Sequence, residues 1–143
     1  MRSTVASSFR RSVLALLGFA SLSLLAAACG ATDASVVEGG LYSVSVGRDG
    51  YQVAKVLLCD EQAVHVRLYT QHYAARPTAV GTDELTLAAG DGSPAFGLAH
   101  LPLTRTAFLE CQPVLIRTAS VSKDELEGVA LWLRGGGTLL GKP

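Results

Sequence analysis

The sequence predicts a mainly β protein with some helix (β+α), a small curled antiparallel sheet that carries a short helix and a C-terminal helix. Apolar and polar residues alternate between Leu41 and Tyr69 with turn signals between the runs, which is typical of antiparallel strands. Near the C-terminus, a helix-capping motif precedes apolar residues at helical spacing. These two patterns predict that the sheet comes first along the chain and that a helix comes last.

The N-terminal residues have the layout of a secretory signal peptide. Arg2, Arg10 and Arg11 are the only charged residues before an apolar run over residues 12–28, and small residues end that run. A membrane-spanning helix needs roughly 20 apolar residues, slightly more than this run provides. We therefore predict that residues 1–28 are a signal peptide that is removed.

A cysteine follows directly after the apolar run. The stretch "LAAAC", which ends at Cys29, resembles the lipobox of bacterial lipoproteins, although Ala26 stands where that family prefers leucine. The resemblance implies cleavage before Cys29 and lipidation of that residue, with palmitate as one of the acyl chains. One acyl chain binds a membrane only marginally, so a stable lipid anchor needs two or more. The alternative is an ordinary signal peptide with an unrelated cysteine.

This resemblance implies a domain order and a location. Residues 29–38 are small and polar, and we predict that they form the lipidated cysteine and a tether, followed by one small β-rich domain over residues 39–143. The location is the bacterial cell envelope, lipid-anchored and facing the periplasm or the surface. Gly30, rather than an aspartate, follows the cysteine, which favours the outer membrane over the inner one.

The composition excludes one large class of partner. The chain has 12 basic and 12 acidic residues, whereas nucleic-acid binding requires a strongly basic surface. We therefore expect no nucleic-acid partner.

The first three strands are predicted to form a meander. They cover 41–46, 51–58 and 63–69, with turns at "GRDG" and "CDEQ". Requiring apolar residues to meet on one face fixes a register. Its pairs are Leu58 with Val64, Val56 with Val66, Ala54 with Leu68, Val46 with Gln52, Val44 with Ala54 and Tyr42 with Val56.

The rest of the chain is predicted to hold shorter elements. They are a fourth strand at 84–87, a short strand within 96–104 that ends at Pro102, a short helix at 104–111 with Thr104 as N-cap, a buried strand at 113–118, and a helix within 121–137. Ser122 and Glu125 form the capping box of that last helix.

The opening hairpin "GGLYSVSV…DGYQVAKVLL…AVHVRLY" resembles the start of SH3-like barrels such as Tudor-type modules, and more faintly that of small bacterial immunity proteins. The first resemblance implies an SH3-like, partly open barrel that binds peptides. Tudor-type modules use an aromatic cage whose residues have no matched positions here, so no binding residue is carried over.

The predicted outer face of the meander is the candidate binding surface. The register places Lys55 beside Arg67, with His65 and Tyr69 on the same face. Like charges directly opposite each other destabilise a sheet, so this pair favours a ligand with a carboxylate or phosphate. Such a ligand is an acidic protein segment or another anionic envelope ligand. Alternatively, the side chains extend into water, or one of three acidic residues neutralises them: Asp60, Glu61 or Glu84.

Two cysteines remain once Cys29 is lipidated. In an oxidising compartment, Cys59 and Cys111 are expected to form one disulfide, with free buried thiols as the alternative. Trp132 lies beside the apolar stripe of the last helix, where it serves as a core residue or as an interface anchor.

Catalytic patterns are weak. Asp91, Ser93 and His100 contain the residue types of a hydrolase triad, but "GDGSPAFG" lacks the nucleophile elbow. The three histidines have no metal-binding spacing. We therefore predict a membrane-anchored, non-enzymatic binding module without metal or cofactor. The alternatives are an envelope inhibitor or immunity-type protein that neutralises one cognate protein and, in third place, a hydrolase.

Overall fold

The computed structural model describes residues 35–48, 50–88 and 96–141. The predictions of a signal peptide and of lipidation at Cys29 lie outside these residues, as do Asp91 and Ser93. Within the described ranges, no helix is long and apolar enough to cross a membrane.

The structure contains five strands and two short helices. In chain order these are β1 (Gly40–Ser45), β2 (Tyr51–Cys59), β3 (Ala63–Tyr73), β4 (Leu98–Thr104), α1 (Arg105–Glu110), β5 (Val114–Thr118) and α2 (Glu127–Arg134). The strands form one antiparallel sheet in the order β4-β3-β2-β1-β5. The predicted fold class is therefore confirmed, while the likeness to an SH3 barrel stays a prediction.

Local chemistry explains the two tight turns of the meander. Gly47 and Gly50 flank the β1–β2 turn with φ angles of 76° and 124°, in the left-handed region that favours glycine. In the β2–β3 turn, the Asp60 carboxylate accepts hydrogen bonds from the backbone N–H groups of Gln62 and Ala63. These turns place β2 between β1 and β3.

The predicted register is correct in the middle of β2 and β3 and wrong elsewhere. Ala54 lies opposite Leu68 and Val56 opposite Val66, as predicted. An irregularity between Val56 and Leu58 then places Leu58 opposite His65 instead of Val64. In the β1–β2 pair, the strand is shifted by two residues, so that Tyr42 lies opposite Ala54. An even shift keeps the same side chains on the same face, which is why the predicted core face still holds.

The first face of the sheet carries the predicted core. Its buried residues are Val36, Tyr42, Val44, Ala54, Val56, Val64, Val66 and Phe108. Phe108 comes from α1, whose first turn is capped by Thr104, as predicted: its hydroxyl accepts the N–H of Ala107 at 3.2 Å. Val36 lies within the predicted tether, so residues 35–38 belong to the folded domain.

The second face of the sheet is buried too, and the prediction of an open outer face is wrong. Its buried apolar residues are Leu41, Val53, Tyr69 and Val80, with Leu85, Leu87, Ile116 and Ala119 among those packed against them. The covering residues come from later in the chain and from segments with weak periodicity. For that reason the alternating pattern of β1–β3 looked like that of a one-sided sheet.

Two strands differ from their predicted bounds, one predicted strand does not form, and the last helix starts later than its capping motif. β3 continues past Tyr69 to Tyr73, and β4 continues through Pro102 to Thr104. Pro102 is tolerated because β4 is an edge strand, where a missing N–H breaks no central hydrogen bond. Residues 84–87 form no strand, although the Thr86 carbonyl accepts the N–H of Thr70. The last helix starts at Glu127, after a turn.

Candidate functional site

The second face of the sheet holds a network of charged side chains. Lys55 on β2 and Arg67 on β3 lie directly opposite each other, as predicted. Glu125 lies between them: its carboxylate is 2.7 Å from the Lys55 amine and 3.5 Å from the Arg67 guanidinium. Lys55 also donates to the Ser120 carbonyl at 2.7 Å. One carboxylate thus serves two cations, which removes the like-charge conflict.

Glu125 is held ionised by its surroundings. Burial on its own raises the pKa of this carboxyl. The hydrogen bonds from Lys55 and from the Ser122 N–H, with the charges of Lys55 and Arg67, outweigh that effect, so the pKa lies below its usual value. Ser122 and Glu125 exchange the two hydrogen bonds of the predicted capping box, at 2.8 and 3.3 Å. Glu125 therefore caps the turn before α2 and also binds the two cations on the sheet.

Two histidines and a tryptophan form a cluster beside this network. His65 Nδ1 and His100 Nε2 are 2.9 Å apart, and the ring planes differ by 7°. Aromatic faces stack no closer than about 3.5 Å, so these rings lie edge to edge in nearly one plane. One imidazole therefore donates a hydrogen bond to the other. Trp132 packs on His65 in a T-shaped arrangement, with the ring centroids 4.8 Å apart.

The structure places all four residues predicted to bind a ligand on the second face, but under a covering segment. Lys55 and His65 are 6% and 3% exposed, and the Arg67 side chain is 18% exposed. Tyr69 lies in the apolar cluster of the second face, where burial, and next the charge of Glu125, raise the pKa of its hydroxyl. The predicted basic surface is thus an internal ion network.

The carboxylate partner of Lys55 and Arg67 was not predicted from the sequence. Of the acidic residues considered, Asp60 caps the β2–β3 turn and Glu84 accepts from the Gly81 N–H instead. The actual partner, Glu125, was assigned only a capping role. Because the register places two cations side by side, it indicates that a carboxylate lies close to both. The sequence separation of 70 residues from Lys55 left its identity open.

Both remaining cysteines are free thiols in the structure, so the predicted disulfide is not formed there. Cys59 Sγ donates to the Val36 carbonyl and Cys111 Sγ to the Ala107 carbonyl. Burial is the main cause that raises the pKa of each thiol, which makes both weak nucleophiles. Their pairing in an oxidising compartment stays a prediction.

The two edges of the sheet differ. Along β4, Leu140 forms a parallel bridge with Leu103, and its N–H donates to the Pro102 carbonyl. In the described part of the chain, no strand pairs with the outer side of β5. Val114 and Leu115 of β5 are 49% and 48% exposed. One edge is therefore covered, whereas the other presents an apolar strand.

Two surface cavities lie elsewhere. One, of about 480 Å³, runs along the start of α2 and is lined by Lys123, Asp124, Leu126, Glu127 and Ala130. The other, of about 400 Å³, lies near the start of α1 and includes Glu61, Arg105 and Leu139 in its lining. Neither contains a residue predicted to bind a ligand.

Comparison of the chain with protein-family models, curated proteins and solved structures finds no match. Among the residues that the structure describes, no group of three or more His, Cys, Asp or Glu side chains is placed to hold a metal ion. The site must therefore be interpreted from its own geometry.

Proposed function

We propose that this protein is a lipid-anchored, non-enzymatic binding module of the bacterial envelope. The observation that carries the proposal is Cys29, which ends the lipobox-like "LAAAC" at the point where the apolar run meets the polar chain. From Cys29 to Ser35 the chain spans at most about 22 Å when fully extended. Residues 35–38 already pack on the domain, so the anchor holds the folded domain close to the bilayer.

The β5 edge is the docking surface in this proposal. An edge strand offers unpaired N–H and C=O groups, and natural proteins usually cover such an edge or place proline or charges on it. The β4 edge has both a covering residue, Leu140, and a proline, Pro102. β5 instead exposes Val114 and Leu115, which point to opposite faces of the strand. This difference supports binding by strand addition on β5 alone.

The occupant is an extended, apolar segment of another envelope protein. Main-chain hydrogen bonds to β5 supply affinity in such a complex, and apolar side chains on both faces supply specificity. This replaces the predicted anionic ligand on Lys55 and Arg67, because both side chains are already occupied by Glu125.

Lipidation is tested first. In cells given an alkyne-tagged palmitate analogue, we expect the wild-type protein to be labelled and to sediment with membranes. The Cys29→Ser variant should lose the label, because the acyl acceptor is gone. Cys59→Ser is the matched control and should keep the label. Palmitate label that persists on Cys29→Ser contradicts the anchor.

The docking surface is tested by crosslinking in the envelope. A photo-reactive residue at Val114 should capture a segment of a second protein, whereas the same residue at the exposed Leu131 of α2 should not. A peptide of the captured segment should then slow amide exchange in β5. Val114→Lys should weaken its binding at least about tenfold, because a charge must be buried, and Leu131→Lys should not.

Other results separate the alternatives. Equal capture at Val114 and Leu131 overturns the β5 surface. A crosslink from β5 to β5, with dimer mass in solution, identifies a second copy of this chain as the occupant instead. Tight one-to-one capture of a toxin or hydrolase, with loss of its activity, indicates an inhibitor or immunity-type protein.

A further inference from the structure

One segment closes over the second face of the sheet. We define the strap as residues 120–134, which include the capped turn and α2. Its polar and aromatic contacts with the sheet include those of Ser120 and Glu125 with Lys55, of Glu125 with Arg67, and of Trp132 with His65. Its Val129 side chain is 3% exposed. In addition, Gly128 lies so close to the His100 side chain that a Cβ there would be 2.6 Å from the His100 Cβ.

The strap is fixed at both ends but forms no ladder with the sheet. Before it, Ala119 N–H donates to the Gly39 carbonyl, and after it, Leu140 N–H donates to the Pro102 carbonyl. The backbone hydrogen bonds of the strap itself are local, such as Ala130 N–H to the Leu126 carbonyl. Gly136, with a φ of 62°, lies in the glycine run that ends it. Lifting the strap therefore breaks side-chain contacts and leaves the strand pairing intact.

The histidine pair lies where the strap meets the sheet. His65 is 3% exposed and is covered by Trp132 from the strap, and its partner His100 is on β4 beside Gly128. The in-line geometry at 2.9 Å allows one proton between the two nitrogens. A first added proton can go to an outer ring nitrogen and leaves this hydrogen bond in place. Only when both rings are imidazolium do two N–H groups face each other at hydrogen-bond distance, which is repulsive.

Several charged side chains lie near the pair. On the sheet side are the cations Lys55 on β2 and Arg67 on β3, and the strap supplies the single carboxylate Glu125 that binds both. Asp60 in the β2–β3 turn is the acidic group whose charge favours protonation of His65. Among the described residues, the only neighbouring charge that acts on His65 is that of Asp60, and the only one that acts on His100 is that of His65.

We propose that the His65–His100 pair is an acid-sensitive clasp, in which protonation of both imidazoles releases the strap and exposes the second face of the sheet. The clasp is independent of lipidation and of the β5 surface.

The direction of the pH dependence follows from linkage. Burial lowers the pKa of both imidazoles below the ordinary 6.5, and at His100 the charge of His65 lowers it further. In the open form each imidazole regains its ordinary pKa, so the open form binds protons that the closed form does not. Closure is therefore fully stable above about pH 6.5 and weakens as the pH falls from there towards the lowered pKa values.

Trp132 is the only tryptophan of the chain and reports on the strap. The mature protein is titrated from about pH 7.5 to about pH 4.5, the range in which histidine changes charge. Three signals are followed: quenching of Trp132 by acrylamide, amide exchange of α2, and far-ultraviolet circular dichroism of the sheet. We expect quenching and α2 exchange to rise together below about pH 6.5 while the sheet signal stays constant.

Two variants test whether the pH transition depends on the His65–His100 pair. His100→Gln keeps a hydrogen-bonding side chain but removes one titrating group, so it should move the transition down by about one pH unit or abolish it. His72→Gln changes the exposed third histidine and should leave the transition in place. Histidine NMR signals of the wild type should show that His65 and His100 titrate in step with strap opening, which keeps the test valid if His100→Gln does not fold.

Three results overturn the clasp. The first is an unchanged transition in folded His100→Gln. The second is loss of the sheet signal together with the Trp132 change, which is global acid unfolding. The third is a strap that stays protected at about pH 4.5 although both histidines have titrated by NMR.

Discussion

Glu125 combines three tasks at one position. Its carboxylate accepts the Ser122 N–H and binds Lys55 and Arg67. A buried cation without a partner is costly, and two cations on neighbouring strands cost more. The stability of the second face therefore depends on this single side chain more than on any one apolar contact in the strap.

Removing the charge of Glu125 tests this dependence. Glu125→Gln keeps the shape and an acceptor for Ser122 but leaves Lys55 and Arg67 without a counter-ion. We expect the free energy of unfolding in urea to fall by about 2 kcal/mol, less than for fully buried pairs because water reaches Arg67. Glu127→Gln, two positions along on an exposed side chain, should change it by less than about 0.5 kcal/mol. Equal effects of both variants would rule out the network as a main source of stability.

At single positions, the sequence predicted what local rules determine. The Thr104 cap and the Ser122–Glu125 hydrogen bonds depend on residues three apart, and both form as predicted. The Ser122–Glu125 box, however, lies in the turn before α2 and not at the start of the helix, whose N-cap is Leu126. The contact between His65 and His100 joins residues 35 apart on different strands. Nothing in the spacing of two isolated histidines indicates it, because it depends on the β3–β4 register.

Among the elements, α1 shows how a short helix is stabilised by packing. It has six residues, too few to be stable alone, and its Phe108 side chain is 1% exposed in the first core. Tyr42 of β1 meets Phe108 edge to face at a centroid distance of 5.5 Å. The helix is therefore stabilised mainly by the packing of Phe108 in the first core, together with the Thr104 cap.

Truncating that aromatic residue measures how much the packing contributes. Phe108→Ala should lower the free energy of unfolding by about 3–4 kcal/mol, because it leaves a cavity among well-packed residues. Leu109→Ala, the next residue on the same helix, is the matched control. Leu109 is 36% exposed, so its truncation should cost less than about 1 kcal/mol by urea denaturation. Similar losses for the two variants would contradict the packing of α1 described here.

Strand positions were predictable, but strand ends and registers were less so. The alternation in β1–β3 defined the meander, and the "PVLIRT" run defined β5. The prediction that this last strand is buried is wrong, because β5 lies at the edge of the sheet with Val114 and Leu115 exposed. The irregularity between Val56 and Leu58 was not predictable, because it moves one strand by one residue without leaving a mark in the apolar pattern. The extension of β3 to Tyr73 depends on pairing with Tyr51. Tyr51 begins β2 and Tyr73 ends β3, so this contact joins residues that are far apart in the sequence.

At the scale of the whole molecule, the sequence predicted the fold class but not that both faces of the sheet are covered. A single buried face is enough to explain the alternation in β1–β3, so only one buried face was predicted. The second layer is built from residues 80–87 and 116–134, which carry scattered apolar side chains and one amphipathic helix. Segments of this kind have a weak pattern of their own, so their place over the sheet is decided only by tertiary packing.

The order in which the chain leaves the ribosome or the export channel gives the strap a further importance. β1, β2 and β3 precede it by some 50 residues or more, and local hairpins form faster than contacts between distant residues. The meander can therefore assemble while the second face still lacks its cover, with the charges of Lys55 and Arg67 uncompensated and with apolar side chains such as Val53 facing solvent. A half-made sheet of this kind is prone to aggregation. The newly made chain is thus most prone to aggregation before its last quarter is available to cover the sheet, and this is when a chaperone would protect it most.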